Sequence, residues 1–131
     1  MEELYKGKHS VQYSQVALFD AEDTNSYPQF ETGEEAVIFG SKGVAVATAN
    51  DTDVEIAVLK GEAHESDIVG FFLLLSGEMQ IGNQGLIVGN EITADTAEVA
   101  YPAGKASVSV YANAEASTEI TGVLFILNRL E

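Results

Sequence analysis

Between Ser10 and Leu127 the chain is built from short runs rich in Val, Ile, Thr, Tyr and Phe, each closed by Gly, Asn, Asp or Pro. β-Branched and aromatic side chains suit a pleated, half-buried surface, and the punctuating residues supply tight turns. No stretch carries the apolar period of an amphipathic helix for ten or more residues. The pattern predicts an all-β fold: a two-sheet antiparallel β-sandwich, jelly-roll-like, of about nine or ten short strands.

Individual runs make sharper predictions. In Ser10 to Phe19 the apolar phase shifts from Val11/Tyr13 to Val16/Leu18, which predicts one strand with a bulge near Ser14 and Gln15. Ala36 to Phe39 is short enough to be a strand or one helical turn. Gly43 to Ala49 and Val54 to Lys60 read as a hairpin around Asn50-Asp51-Thr52-Asp53, with Val54, Ile56 and Val58 on one face and Glu55 on the other. Asp67 to Leu75 is almost wholly apolar, as in a central strand covered on both faces. Glu78 to Ile81 and Leu86 to Val88 flank the turn Gly82-Asn83-Gln84-Gly85. Glu98 to Tyr101 and Lys105 to Ala112 flank Pro102-Ala103-Gly104, and Thr121 to Leu127 alternates to the end. With no repeat, linker or low-complexity segment, one domain spanning residues 1–131 is predicted.

The 131 residues suffice for a core without staples, and the 46% hydrophobic content argues against disorder. There is no cysteine, so disulfides and thiolate metal sites are excluded. The first ten residues, MEELYKGKHS, lack the apolar region of a secretory signal, and the run Ile68 to Leu75 is too short to span a bilayer. The expectation is a cytoplasmic protein with no membrane partner.

Charge narrows the function. A net charge of −15 repels nucleic acid and anionic membranes and favours a basic protein partner. Twelve of the 21 acidic residues fall in two windows. The first holds Asp20, Glu22, Asp23, Glu31, Glu34 and Glu35 without a Lys or Arg; the second holds Asp51, Asp53, Glu55, Glu62, Glu65 and Asp67, diluted only by Lys60. Solubility alone does not require such clustering. The expected partner-binding face is therefore Asp20, Glu22, Asp23, Glu31, Glu34 and Glu35, with Asp51 and Asp53 beside it.

Catalytic and metal signatures are thin. His9 and His64 have no close-spaced His or Cys partner, which argues against zinc. There is no G-x-S-x-G elbow, no P-loop and no dinucleotide fingerprint. Asp20, Glu22, Thr24 and Glu31 echo the spacing of a calcium loop, but Asn25 stands where a glycine is needed and Pro28 intrudes. The absence of Trp weakens a sugar-binding reading. No catalytic residue, metal or cofactor is predicted, and the chain is expected not to be an enzyme.

The order of features also carries a resemblance. Ser10-Val-Gln-Tyr13-Ser-Gln15-Val-Ala-Leu-Phe19 is followed by an acidic loop with Pro28, then by Gly40-Ser-Lys-Gly43-Val-Ala-Val46, Asn50-Asp-Thr52 and Val54-Glu-Ile56. Gly85-Leu-Ile87-Val-Gly and Tyr101-Pro102-Ala-Gly104 come later, before a long strand. Over residues 10–112 this resembles the competence-associated nuclease-inhibitor family, the ComJ/Nin proteins. That family opens on a similar Ser-x-x-Tyr-x-Gln-x-x-x-Phe strand and has a Pro-x-Gly turn before a late strand. Phe30 stands near the place of a tryptophan usual there. The resemblance implies a protein that binds and inhibits a DNA-degrading nuclease; a monomer or small homo-oligomer is expected. It supplies no contact residues. Two other readings stay open from sequence: a structural subunit of an oligomeric assembly, such as a virion-decorating protein, and a small-molecule or carbohydrate-binding jelly roll.

Overall fold

A computed structural model describes residues 2–11, 14–23, 28, 36–62, 66, 68–90 and 95–130. Ten strands are formed: β1 (Glu2–Val11), β2 (Gln15–Asp20), β3 (Val37–Phe39), β4 (Gly43–Ala47), β5 (Thr52–Lys60), β6 (Phe72–Ile81), β7 (Leu86–Asn90), β8 (Asp95–Val99), β9 (Gly104–Ala112) and β10 (Gly122–Arg129). They make two five-stranded sheets, ordered β1-β5-β10-β9-β6 and β3-β4-β2-β7-β8. The all-β sandwich is therefore as expected, with no α-helix among the described residues.

Alternating residues of the two inner faces meet in one core. Val16 and Leu18 of β2 and Val44 and Val46 of β4 pack against Val54, Ile56 and Val58 of β5, Val108 and Val110 of β9, and Phe125 of β10. The strict alternation of β5 and β9 is what lets each present one apolar face to that layer. In β2 both faces are covered: Ala17 and Phe19 form a second cluster with Ala45, packed by Ile38 and Ile87 on the other side of the sheet. Two glycines are fixed by close approach. At Gly77 a Cβ would sit 2.8 Å from the ring of Phe39, so β3 lies directly over β6 there. Gly89 has φ 137°, and a Cβ there would strike the Asp95 carbonyl and the His9 ring.

Several sequence expectations are corrected. The phase shift after Val11 is no bulge within one strand. The chain leaves the first sheet at Val11 and enters the second at Gln15, with Ser14 at φ 56° between them. Gly43 to Ala49 and Val54 to Lys60 are no hairpin, because β4 and β5 belong to different sheets. The turns after β6 and β8 also carry the chain across the sandwich. The sheets are not purely antiparallel: β10 lies parallel to β5, Gly122 opposite Glu55 through Leu127 opposite Lys60, having been delivered there by its antiparallel pairing with β9. Residues 36–39, left between two forms by the sequence, hold a strand at Val37–Phe39. Most consequential, the apolar run expected at a sheet's centre starts β6, which is an edge strand.

Candidate acidic binding surface

Because the strands run the length of the sandwich, the connections gather at its two ends. One end carries the turns 48–51, 68–71 and 113–121, together with the starts of β2, β5, β6, β8 and β10. The other carries 21–23, 40–42, 61–62, 82–85 and 100–103. The sequence-picked acidic residues divide between these ends. Asp51 lies at the start of β2 and Asp20 at its finish, about 20 Å apart at ~3.3 Å per strand residue. The two described groups therefore do not lie beside each other. Glu31, Glu34 and Glu35 fall outside the described residues.

Asp20 corrects the expectation in another way. It is 2% exposed. Its Oδ1 accepts the backbone N–H of Glu22 and of Gly82, each at 3.2 Å. A carboxylate two residues ahead of a turn N–H is an ordinary local hydrogen-bonding partner. Here it also ties the end of β2 to the β6–β7 turn. It is a structural group, not a surface charge. Glu22 is exposed and Asp23 half-buried at the same end, which they share with Lys42, Lys60, Lys105 and Arg129. Lys60 pairs with Glu2 at 3.5 Å and Lys105 with Glu78 at 3.0 Å. Lys60 and Arg129 line a groove of about 600 Å³ with Tyr101 and Pro102. Burial raises the Tyr101 phenol pKa above its usual 10.0, and the charge of Arg129 partly offsets it.

The Asp51 end is different. All six Lys and Arg of the chain are described, and none lies in its turns; Lys6 and Lys8 project from the middle of β1. Asp51 and Asp53 are exposed there. Asp51 takes φ 52°, a left-handed conformation that Asp tolerates, and its N–H donates to the Val11 carbonyl at 3.1 Å. Two further bonds, Ala49 N–H to the Ile120 carbonyl and Glu55 N–H to the Thr121 carbonyl, both 2.9 Å, draw in the β9–β10 connection. That connection carries exposed Glu115 and Glu119 at the same end, with Glu119 next to the Ile120 that Ala49 binds. It is held in shape by Asn113, whose Oδ1 accepts the N–H of Thr121 and of Gly122 at 2.9 and 3.0 Å. Sequence reasoning missed Glu115 and Glu119 because only the tertiary bonds to Ala49 and Glu55 place them. Four exposed carboxylates thus share an end whose turns hold no Lys or Arg, the nearest cation on β1 being Lys8 opposite Glu55.

Beside this end lies a buried polar node. His9 is 2% exposed. Its Nδ1 lies 2.9 Å from the Asp95 carbonyl and 3.1 Å from Asp95 Oδ1. A carbonyl only accepts, so Nδ1 carries the proton, and in the neutral ring Nε2 accepts from the Tyr5 hydroxyl at 2.6 Å. Asp95 Oδ2 also accepts the Ser10 N–H at 2.7 Å. The node clasps β1 of one sheet to β8 of the other. Burial, and secondarily the Asp95 charge, raise the Tyr5 phenol pKa above 10.0. Among the described residues no group of three His, Asp or Glu is placed to hold a metal ion.

Comparison with known proteins adds the fold's precedent. No family model matches the chain, and no curated protein matches it significantly. Among solved structures it is similar to the crystal structure of ComJ, inhibitor of the DNA degrading activity of NucA, from Bacillus subtilis. The match has a TM-score of 0.71 over 98% of each chain, at 9% sequence identity. The sandwich expected from the strand pattern is the fold shared with that structure.

Proposed function

We propose that this protein is a non-enzymatic inhibitor of a DNA-degrading nuclease, acting by presenting an acidic surface to the enzyme's basic cleft. The observation that carries the reading is the architecture shared with ComJ, end to end in both chains. The charge distribution supports it independently. A nuclease that degrades DNA must attract a polyanion, so a surface of fixed carboxylates competes for the same field and is steered to it. The end with Asp51, Asp53, Glu115 and Glu119, whose turns hold no Lys or Arg, is the surface that fits this role best. Glu22 and Asp23 share their end with Lys42, Lys60 and Arg129, which weakens the local field.

The direct test is NucA digestion of DNA with increasing amounts of this protein, across a salt series. Inhibition at low ionic strength that weakens as salt rises is the expected result. Undiminished digestion and no detectable complex at low salt would sink the proposal. Asp51→Asn, Asp53→Asn and Glu119→Gln together are expected to slow association at least about tenfold, since steering acts on the encounter rate.

A further inference from the structure

The start of β6 is anomalous for an exposed strand. From Ile68 to Gly77 the sequence holds no charged residue. Val69 is 77% exposed at the tip of a turn closed by the Phe71 N–H on the Ile68 carbonyl, with Gly70 at φ 86°. Phe72, Leu73 and Leu75 follow at 45, 55 and 44% exposure. Soluble proteins rarely leave large apolar side chains contiguous on an edge strand without a partner. Farther along, Gln80 donates its N–H to the Ser41 carbonyl, so the β3–β4 turn caps that part of the edge and leaves the apolar part outside it.

We infer that this apolar edge is the anchor of the nuclease-docking surface and takes an exposed apolar group of a basic protein; the inference rests on the function proposed above. Charge complementarity selects the occupant. Phe72 pairs with Ala112, and the chain beyond Ala112 carries Glu115 and Glu119. The turn at the Phe72 end of the strand therefore carries two carboxylates and no cation, and Lys6 is the one cation lining the groove beside Phe71, where it faces Glu3 and Glu55. A second copy of a chain with net charge −15 would set carboxylate against carboxylate at that turn. A basic protein meets both parts at once: its cations the carboxylates, its apolar contact the edge. A desolvated apolar centre inside a polar rim is the usual layout of a protein interface, in which the centre sets the lifetime and the rim the encounter rate.

The two roles separate kinetically, with NucA as probe. Leu73→Ser with Leu75→Ser is expected to speed dissociation about tenfold or more with the association rate unchanged, and with the salt dependence intact. Val69→Ser, outside the strand pairing, should act in the same direction and guards against misfolding of the double variant, whose fold is checked by circular dichroism. Glu115→Gln with Glu119→Gln should slow association and flatten the salt dependence. If wild-type protein binds NucA and the apolar variants dissociate at the wild-type rate, the anchor is refuted while the inhibitor reading stands. If they convert a wild-type dimer into a monomer without changing inhibition, the edge belongs to self-association and the inference fails. If wild-type protein does not bind NucA at low salt, both readings fall.

Discussion

Strands β1 and β6 are the two outer strands of one sheet, each of ten residues, and they treat the same problem in opposite ways. An outer strand offers unpaired backbone groups to any passing strand, and charges or bulges discourage the approach. Both strands have a register break, β1 between Glu3 and Tyr5 and β6 between Leu73 and Leu75, so charge is what separates them: β1 has Glu2, Glu3, Lys6 and Lys8 along it. It is also clasped to the facing sheet through His9. Strand β6 begins with five residues, Phe72 to Ser76, that carry no charge, and three of its apolar side chains are about half exposed. One outer strand is guarded and the other is open. The contrast says that the exposure at β6 is a feature of that strand alone and not a general looseness of the sheet.

The largest effect expected on this comparison is loss of the β1 clasp. His9→Ala removes a buried ring and leaves the Tyr5 hydroxyl and two Asp95 oxygens, the carbonyl and Oδ1, without that partner. A cost of about 2–4 kcal/mol in denaturant unfolding is expected. If the variant unfolds at the wild-type midpoint, β1 is held by pairing with β5 alone. The corresponding fixed point on β6 is Gly77 under Phe39. Gly77→Ala forces the aromatic ring aside and should cost about 1–3 kcal/mol. Phe39→Leu in the same background should recover part of that loss, because the ring is what the new methyl group meets.

The open part of β6 should behave otherwise. Leu73→Ser is expected to change stability by no more than about 0.5 kcal/mol, since the side chain already stands in solvent. A much larger cost would mean that Leu73 is held in the fold and would close the comparison between the two outer strands. The reciprocal change sharpens it. Lys6→Val with Lys8→Val makes β1 resemble β6, and light scattering should then detect concentration-dependent association absent from the parent.

How much of this was legible in the sequence depends on which physical term decided each feature. The alternation of Val54, Ile56 and Val58, or of Val108 and Val110, records a one-sided burial that the sequence must encode, so these strands and the sandwich class could be read directly. The crossings between sheets could not. The turn at Asn50-Asp51 and the turn at Pro102-Ala103 use the same residues whether the next strand returns beside the last or passes to the facing sheet. The run Ile68 to Leu75 was legible as a strand but was assigned to the wrong place, because apolar content signals burial in a core and in an interface alike. Strands β2 and β4 are covered on both faces, and in β2 the buried Asp20 conceals this by ending the apolar run with a carboxylate. The acidic surface was half legible. Asp51 and Asp53 announce themselves by proximity in sequence, whereas Glu115 and Glu119 join them through backbone bonds to Ala49 and Glu55.

The smallest effect expected is a titration on the guarded strand. The Tyr5 phenol has its pKa raised above 10.0, first by burial and then by the charge of Asp95. For an acid whose neutral form the fold favours, the folded state holds the proton more tightly than the unfolded chain. The stabilisation is fully present below the unfolded value and is lost as pH rises through the higher folded one. Unfolding free energy should therefore fall as pH rises through 10.0 and above it. Tyr101, raised chiefly by its own burial at the opposite end, contributes a fall of the same sign. Tyr5→Phe should flatten the part of the slope owed to β1 and cost about 1 kcal/mol at neutral pH through the lost bond to His9. Tyr101→Phe should flatten the remainder without touching His9. A slope unchanged in Tyr5→Phe but abolished in Tyr101→Phe would place the alkaline weakness at the Arg129 end and leave the β1 clasp indifferent to pH.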